Sequence, residues 1–431
     1  MSRKRLLALI AAFAALALVL AACEADDDPD VADDADPEEG ITWAVTGADQ
    51  DIHQEVVDLW NEENPDTPLD VVFLPDTADE QRQEMFQDLT TGTGEFDVLG
   101  LDVIWTGEFG ANDFLVNLED QRDAVEGVSL PGAIESSEWQ GELWAMPYSS
   151  NFGLLYYRSD LIDEAPETWD ELFEVALEVS EAEGVEGYVG QGESYEGFVV
   201  NYLEYFWSAG GEVFNEDQSE VILMEGDAAE RALDFMTEAQ EQGVYAPGFN
   251  TMVEDDARTV FQGGDAVFMR NWPYAYPLLS DEEDSEVAGN FDIAPLPTFD
   301  GDGTISALGG LNNAVSAFSD NPGLATEFVV WAASNEEAQM ILGEESLPPT
   351  MLSVYDELED AGDPVFEILP DIAADARARP PVPGYNGLSL AMQDNLHPAY
   401  NSQQDADSAF AAVVEAAEGA LEDVGDPEAE L

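Results

Sequence analysis

Basic residues are scarce in this sequence. Lysine and arginine together number 11 among 431 residues, against 95 aspartates and glutamates, which gives a formal net charge of −84. Arg3, Lys4 and Arg5 account for three of the 11, and no lysine follows them. Proteins that bind nucleic acids need lysine and arginine to neutralise phosphates. The composition therefore excludes a nucleic acid as a partner.

Histidine and cysteine are almost as rare, which limits the chemistry that the chain can perform. The two histidines, His53 and His397, lie in no H-E-x-x-H motif, and the sequence contains no G-x-S-x-G. Neither a G-x-G-x-x-G motif nor a Walker A motif occurs, so we expect no nucleotide cofactor, and no metal site is indicated. Cys23 is the only cysteine, which excludes a disulfide within the chain.

The acidic excess belongs to a folded protein, because 45% of the residues are hydrophobic and 10% aromatic. A chain of this length is expected to form two lobes. The negative charge then coats a folded surface, as in proteins of halophiles, where molar salt shortens the Debye length to about 3 Å and screens the self-repulsion. The alternative is an acidic face for a basic partner, but the carboxylates are spread over the whole chain.

The N-terminus has the pattern of a secretory signal. Its basic residues precede an apolar run over residues 6–22, which is shorter than the roughly 20 residues of a membrane-spanning helix. The sequence L-A-A-C at residues 20–23 resembles the lipobox, in which the cysteine is lipidated. We therefore expect a signal peptide over 1–22, a lipid anchor on Cys23 and an extracytoplasmic location at the outer face of the cell membrane. An uncleaved anchor with an incidental cysteine is the alternative.

Residues 23–40 are predicted to form a lipid-anchored acidic linker, because they contain proline and many acids but few large apolar side chains. Strand and helix patterns alternate after it, and this order predicts an α/β fold with a parallel sheet covered by helices on both faces. The predicted strands are 41–45, 69–74, 96–101 and 265–270; the predicted helices are 51–64, 79–89, 321–333 and 405–421, with further helix starts at Thr168 and Asp227.

The remaining chemical signal is a scatter of tryptophan and tyrosine next to isolated polar residues. Proteins bind sugars with this combination, since pyranose rings stack on aromatic planes while carboxylates, amides and arginine bond the hydroxyls. Five segments, in this order, resemble the sugar-binding proteins of ABC importers, the trehalose and maltose type of extracellular solute-binding family 1. They are FDVLGLDVIW (96–105), MPYSSNFGLLYYR (146–158), MRNWPY (269–274), ALGGLN (307–312) and RARP (377–380).

The resemblance covers nearly all of residues 41 to 421 and implies a two-lobed, periplasmic-binding-protein-like fold of type II. It places lobe I at 41–148 plus 306–347 and lobe II at 149–305 plus 348–425, with crossover hinge segments between them. It also implies a function: the monomeric protein closes on a small sugar, an α-linked disaccharide such as trehalose or maltose, and delivers it to the membrane permease. No cofactor or catalysis is implied.

The resemblance also assigns site residues, and each assignment has an alternative. Asp102 would accept a hydroxyl or cap a turn, and Asn151 would be a polar contact or a loop cap. Trp272 would stack on the sugar or belong to the core, and Arg379 would grip hydroxyls or pair with an acid. The assignment is completed by Tyr274 as a second stacking face, Gly310 as a backbone donor, Leu311 where many relatives have tryptophan, and Gln50, beside Asp49, as the first polar contact.

Two other functions compete with this one. A secreted glycoside hydrolase could use paired carboxylates, although acid pairs carry little information among 95 acids. A structural surface lipoprotein without any ligand is the second alternative.

Overall fold

The computed structural model describes residues 40–422 except 76, 216, 217 and 302. The predicted signal peptide, Cys23, nearly all of the predicted linker and the predicted end of lobe II at 423–425 lie outside the described residues. Within the described part, no helix combines the length and apolar character needed to cross a membrane.

Strands and helices alternate over residues 41–102, and most of the later elements are helices. The strands are β1 (Ile41–Thr46), β2 (Leu69–Leu74), β3 (Val98–Asp102), β4 (Glu138–Trp139), β5 (Glu142–Leu143), β6 (Met146–Phe152), β7 (Leu154–Tyr157), β8 (Glu186–Val189), β9 (Ala266–Asn271), β10 (Asp292–Pro295) and β11 (Leu308–Val315). The helices are α1 (Gln50–Glu63), α2 (Ala78–Thr91), α3 (Thr106–Ala111), α4 (Pro131–Ser136), α5 (Trp169–Glu183), α6 (Glu196–Ser208), α7 (Ala228–Gln242), α8 (Glu254–Gln262), α9 (Ala275–Ser280), α10 (Pro322–Ser334), α11 (Glu336–Glu344), α12 (Leu352–Ala361), α13 (Pro364–Asp375), α14 (Tyr385–Tyr400) and α15 (Ala406–Glu422), with short 3-10 helices at Glu119–Ala124 and Phe249–Thr251.

The first large sheet has five strands in the order β2-β1-β3-β11-β6. β1 is parallel to β2 and β3, as the alternation of strands and helices predicts. β11 is antiparallel to both of its neighbours, β3 and β6, so the predicted parallel arrangement is confirmed for β1, β2 and β3 and the complete sheet is mixed. The physical reason is the path of the chain: β11 is reached from the second sheet and not through a helical crossover from β3, and only a crossover imposes the parallel direction.

The second large sheet has four strands in the order β10-β7-β9-β8. Only Gly153 separates β6 of the first sheet from β7 of the second. The predicted boundary between residues 148 and 149 falls inside β6, and residues up to Phe152 pair with β11 in the first sheet. Because β6 belongs to the first sheet and β7 to the second, the chain passes between the sheets at Gly153. The chain returns to the first sheet in the segment that precedes Leu308.

Local sequence signals explain most helix boundaries. The Thr168 hydroxyl accepts a hydrogen bond from the backbone N–H of Glu171 at 3.1 Å, which caps α5 as predicted. Gly243 adopts the left-handed conformation with φ 76° and ends α7. The helix start predicted at Asp227 is confirmed in position, although the Asp227 side chain makes no capping hydrogen bond to α7. The aromatic helix α6 is almost entirely buried, as a core element.

Candidate functional site

A solvent-open cleft with an empty volume of about 750 Å³ lies where the two large sheets meet. Side chains reach it from the end of β3, from the crossing strands β6 and β11, and from the segment after β9. The residues that line it are Thr46, Asp49, Ala78, Gln81, Asp102, Asn151, Tyr195, Glu196, Gly197, Val200, Glu254, Trp272, Gly309, Gly310, Leu311, Leu347 and Arg379. The structure thus brings together six of the eight residues predicted to bind the ligand: Asp102, Asn151, Trp272, Gly310, Leu311 and Arg379.

A second chamber of about 770 Å³ adjoins this cleft and contains Tyr274 in its lining. The half-buried Tyr274 donates a hydrogen bond from its hydroxyl to Asp255 Oδ1 at 3.2 Å. The two chambers share the lining residues Asp49, Asn151, Glu254, Trp272 and Leu347. They are therefore two ends of one groove, with Trp272 between them.

Trp272 is half-buried and packs its ring against a cation. The Cζ atom of Arg270 lies 4.0 Å from the centroid of the Trp272 ring. The hydroxyl of Tyr156 fixes the backbone of the same residue by donating to the Trp272 carbonyl at 2.8 Å. Part of the ring contacts the hydrophobic core around α6, and part lines the cleft. Trp272 thus belongs in part to the core, as one of its two interpretations states, and its stacking on a sugar stays a prediction.

Arg379 is bonded to two carboxylates at one wall of the cleft. Its Nη2 donates to Asp102 Oδ1 and its Nη1 donates to Glu196 Oε1, each at 2.8 Å. The Arg379 side chain is 2% exposed. Burial alone would lower the pKa of Arg379, but the carboxylates of Asp102 and Glu196 raise it above its ordinary value. Arg379 therefore does pair with acids, and it does so within the lining of the cleft.

Asp102 has a structural bond as well as a place in the cleft. Its Oδ1 accepts a hydrogen bond from the backbone N–H of Ile104 at 3.1 Å, which is the predicted turn cap. Asn151 differs, because its Oδ1 is buried and has no hydrogen-bond partner among the described residues. A buried acceptor without a partner carries a free-energy cost unless a ligand or water bonds it. Asn151 Oδ1 is thus available to a hydroxyl group in the groove.

The glycine turn of β11 brings backbone close to the ligand groove. Gly310 has φ 116°, and a Cβ atom on it would collide with the carbonyl oxygen of Ser149. Only glycine fits that position. The carbonyl of Gly310 accepts a hydrogen bond from the Val103 N–H at 3.2 Å, which ties β11 to the turn after Asp102. The neighbouring Leu311 is partly buried against the core of the first sheet and lines the cleft.

The structure does not place Gln50 in the cleft. Gln50 is exposed at the first residue of α1 and lines neither chamber, whereas Asp49 lines both. Successive side chains at a helix start point in directions about 100° apart. The side chain of Asp49 therefore faces the cleft while that of the next residue, Gln50, faces solvent. Burial, together with the carboxylate of Asp255, raises the pKa of Asp49 to about 6.

The sequence analysis missed two further carboxylates in the cleft, Glu196 and Glu254. Glu196 is 4% exposed and, besides the bond from Arg379, accepts one from the Tyr385 hydroxyl at 2.7 Å. Glu254 accepts a bond from the Tyr195 hydroxyl at 2.6 Å. Burial raises the pKa of both carboxyl groups. Each residue opens a helix, but Glu336 does so as well without lining the cleft, so this local signal does not distinguish the two residues from the other acids.

Comparisons with known proteins give this groove a context. The family model for bacterial extracellular solute-binding protein matches residues 44–339. A probable ABC transporter-binding protein of Deinococcus radiodurans is 32% identical over 375 residues, which cover 83% of this chain and 88% of that protein. An arabinooligosaccharide-binding protein of Halalkalibacterium halodurans is 25% identical over 81% of each chain.

The same likeness extends to solved structures. Maltose-bound MalE3 of T. maritima superimposes with a TM-score of 0.83 and 33% identity, over 88% of this chain and 99% of that one. The similarity confirms the α/β fold of the two-lobed, type II class that was predicted from the sequence.

Proposed function

The chain belongs to the family of bacterial extracellular solute-binding proteins, and from this membership we propose that it captures a sugar outside the membrane for an ABC importer. Its role is to bind a solute and not to catalyse a reaction, since the family and its relatives are substrate-binding proteins. The observation that supports a sugar most directly is the groove itself. There, Trp272, Asp102 and Arg379 line one cleft, and an aromatic ring together with a carboxylate and a guanidinium is a combination that suits a pyranose.

An α-linked disaccharide such as trehalose or maltose is the ligand that we propose. The groove has two chambers on either side of Trp272, and one pyranose ring would occupy each. Trp272 and Tyr274 would supply stacking faces, while Asp102, Asn151 and Arg379 would bond hydroxyls. The likeness to a maltose-bound protein at 33% identity supports this choice.

Binding would act through hinge closure. The proposed lobes are built on the two large sheets, with lobe I at about 41–152 plus 306–347 and lobe II at 153–305 plus 348–422. Contacts from both lobes are satisfied together only when the groove is closed, so the sugar shifts the population toward the closed form. The permease would then recognise the closed form.

Three further features complete the proposal. The lipobox-like sequence at Cys23 supports a lipid anchor on the outer face of the membrane. The net charge of −84 supports a surface adapted to high salt, where self-repulsion is screened. The ligand groove is contained within one chain, which supports a monomer.

The test is calorimetric titration of the purified chain in molar salt with trehalose, maltose and, as a β-linked control, cellobiose. We expect saturable binding of an α-linked disaccharide, weaker or no binding of cellobiose, and an unchanged sugar after prolonged incubation. Flat titrations with all mono- and disaccharides would support the ligand-free alternative. Release of glucose by the purified protein would revive the hydrolase alternative.

A further inference from the structure

A buried ion pair lies directly beneath the platform formed by Trp272. Arg270 Nε donates to Glu204 Oε2 at 3.0 Å, and Arg270 Nη2 donates to Glu204 Oε1 at 2.6 Å. The side chains are 1% and 2% exposed. The remaining guanidinium nitrogen, Nη1, donates to Gln191 Oε1 at 3.1 Å. The orientation of the guanidinium is thus fixed by three bonds in one plane.

This ion pair also contacts both places where the chain passes between the two large sheets. The backbone N–H of Ala307, just before β11, donates to Glu204 Oε1 at 3.1 Å. At the other crossing, a Cβ atom on Gly153 would lie 2.5 Å from both Arg270 Nη2 and Glu204 Oε1. The two crossings are joined to each other as well, since the Gly153 N–H donates to Ser306 Oγ at 2.6 Å.

The same guanidinium supports the aromatic platform. Arg270 and Trp272 are two residues apart at the end of β9, and the Arg270 Cζ atom lies 4.0 Å from the centroid of the Trp272 ring. The far edge of that ring lies against the start of β11, where a Cβ atom on Gly309 would be 3.1 Å from the ring. The platform is therefore held between the ion pair and a crossing strand.

Stability alone does not explain why a cation is buried here. Arg270 and Arg379 are the only arginines buried in the described part of a chain that has otherwise almost eliminated basic residues. Buried ion pairs are weak contributors to stability, and well-packed apolar side chains often replace them without loss. The planar guanidinium of arginine fixes the positions of the groups that it bonds, and apolar packing fixes such positions less strictly. The geometry fixed here is that of the crossings relative to the platform.

We infer that Arg270 is a positioning residue for ligand binding, and that its ion pair with Glu204 holds the Trp272 ring in register with both chain crossings. When the crossings rotate, the ion pair moves the platform with them, so that stacking and hinge closure occur together. This inference rests on the proposed function, since it assigns a role to Trp272 as a sugar platform.

The test is a double-mutant cycle on the full chain in molar salt, with maltose or trehalose as the titrant. If Arg270 acts through the ring, Arg270→Met raises Kd at least about tenfold when Trp272 is present and less than about threefold in the Trp272→Ala background. Equal losses in both backgrounds would overturn the inference. The matched control is Arg158→Met, which removes an arginine paired with Asp160 just after β7 of the same sheet and leaves Kd unchanged.

A second variant covers the case in which Arg270→Met does not fold. Glu204→Gln keeps the shape and an oxygen for the Ala307 N–H but removes the charge that holds the guanidinium. We expect Kd to rise at least about threefold, with a changed near-ultraviolet dichroism signal of tryptophan. A folded Glu204→Gln variant with unchanged Kd and spectrum would contradict the positioning role. If the wild-type chain binds no sugar at all, the proposed function fails; additive losses in a chain that binds sugar overturn only this inference.

Discussion

Asp102 and Arg379 are 277 positions apart in the chain, yet Arg379 Nη2 donates to Asp102 Oδ1 at 2.8 Å. Through its other nitrogen, Nη1, the same guanidinium bonds Glu196 at the start of α6. The end of a strand in the first sheet is thereby joined to a helix packed with the second. Arg379 Nε is buried and has no partner among the described residues, which leaves a donor at this wall.

Removing Arg379 should therefore affect both stability and binding. Arg379→Ala leaves the carboxylates of Asp102 and Glu196 without their cation, and we expect the free energy of unfolding to fall by about 3 kcal/mol. Denaturant titration measures this. Arg377→Ala is the matched control, because Arg377 pairs with Glu212 at the surface and should change the free energy by less than about 1 kcal/mol. Equal effects of the two variants would contradict the structural difference between the two arginines.

The platform predicts a large effect on affinity. Trp272→Ala removes a stacking face between the two chambers, and we expect Kd for the sugar to rise at least about tenfold, with Trp272→Phe retaining most of the affinity. Calorimetry in molar salt measures both. Trp331→Ala, which removes a tryptophan that packs on Trp60 outside the cleft, should leave Kd unchanged. A folded Trp272→Ala variant with wild-type affinity would remove Trp272 from the site.

The raised pKa of Asp49 predicts that the stability of the fold changes with pH near neutrality. Its pKa is raised from 3.8 to about 6, so between these values the folded chain holds a proton that the unfolded chain has released. The stabilisation from this group is therefore present at low pH and lost as the pH rises through about 6. Asp49→Asn should raise the melting temperature relative to wild type at pH 7.5 and by much less at pH 4.5, where most of the stabilisation from this group is still present.

The same titration should appear in binding, because a protonated carboxyl is a weaker acceptor for sugar hydroxyls. We expect wild-type Kd to increase as the pH falls through about 6. Asp49→Asn should remove the increase in Kd near pH 6, while any change in Kd that other acids cause at other pH values remains. A step that persists unchanged in Asp49→Asn would assign it to another group.

Salt should decide whether the chain folds. The net charge of −84 is screened over about 3 Å in 1 M salt but over about 30 Å in 0.01 M. We expect circular dichroism to show loss of helix on dilution to 10 mM salt, and less loss at pH 4, where many carboxylates are protonated. Retention of the full spectrum at 10 mM and pH 7.5 would contradict the interpretation of the acidic surface as an adaptation to salt.

Local patterns predicted the three parallel strands of the first sheet well. Ile41–Thr46 and Leu69–Leu74 were found within one residue of their observed ends, because their apolar runs and flanking turns lie in the sequence itself. The direction of Leu308–Val315 could not be predicted in this way. It depends on how the chain returns from the second sheet, and no local pattern records that path.

Some residues of the cleft could likewise be predicted from the sequence, and others could not. Trp272 and Arg379 were found because they lie in the segments MRNWPY and RARP, which resemble the sugar-binding family. Glu196 and Glu254 were missed because each is one of 95 acids, and only the fold selects the few that face the groove. Gln50 was predicted in place of Asp49 because the sequence does not determine, to within one residue, which side chain at the start of a helix faces the cleft.

The order of the strands constrains how the molecule is assembled. The five-stranded sheet needs β11, whose residues follow every strand of the four-stranded sheet, so its centre stays incomplete until position 315 has been delivered. Until then, β3 presents an open edge, and the contacts that close it are distant in sequence and slow to form. A nascent chain with this topology cannot complete its first sheet until residue 315 has been supplied, so the last strand of that sheet in the sequence is the one that joins its two halves.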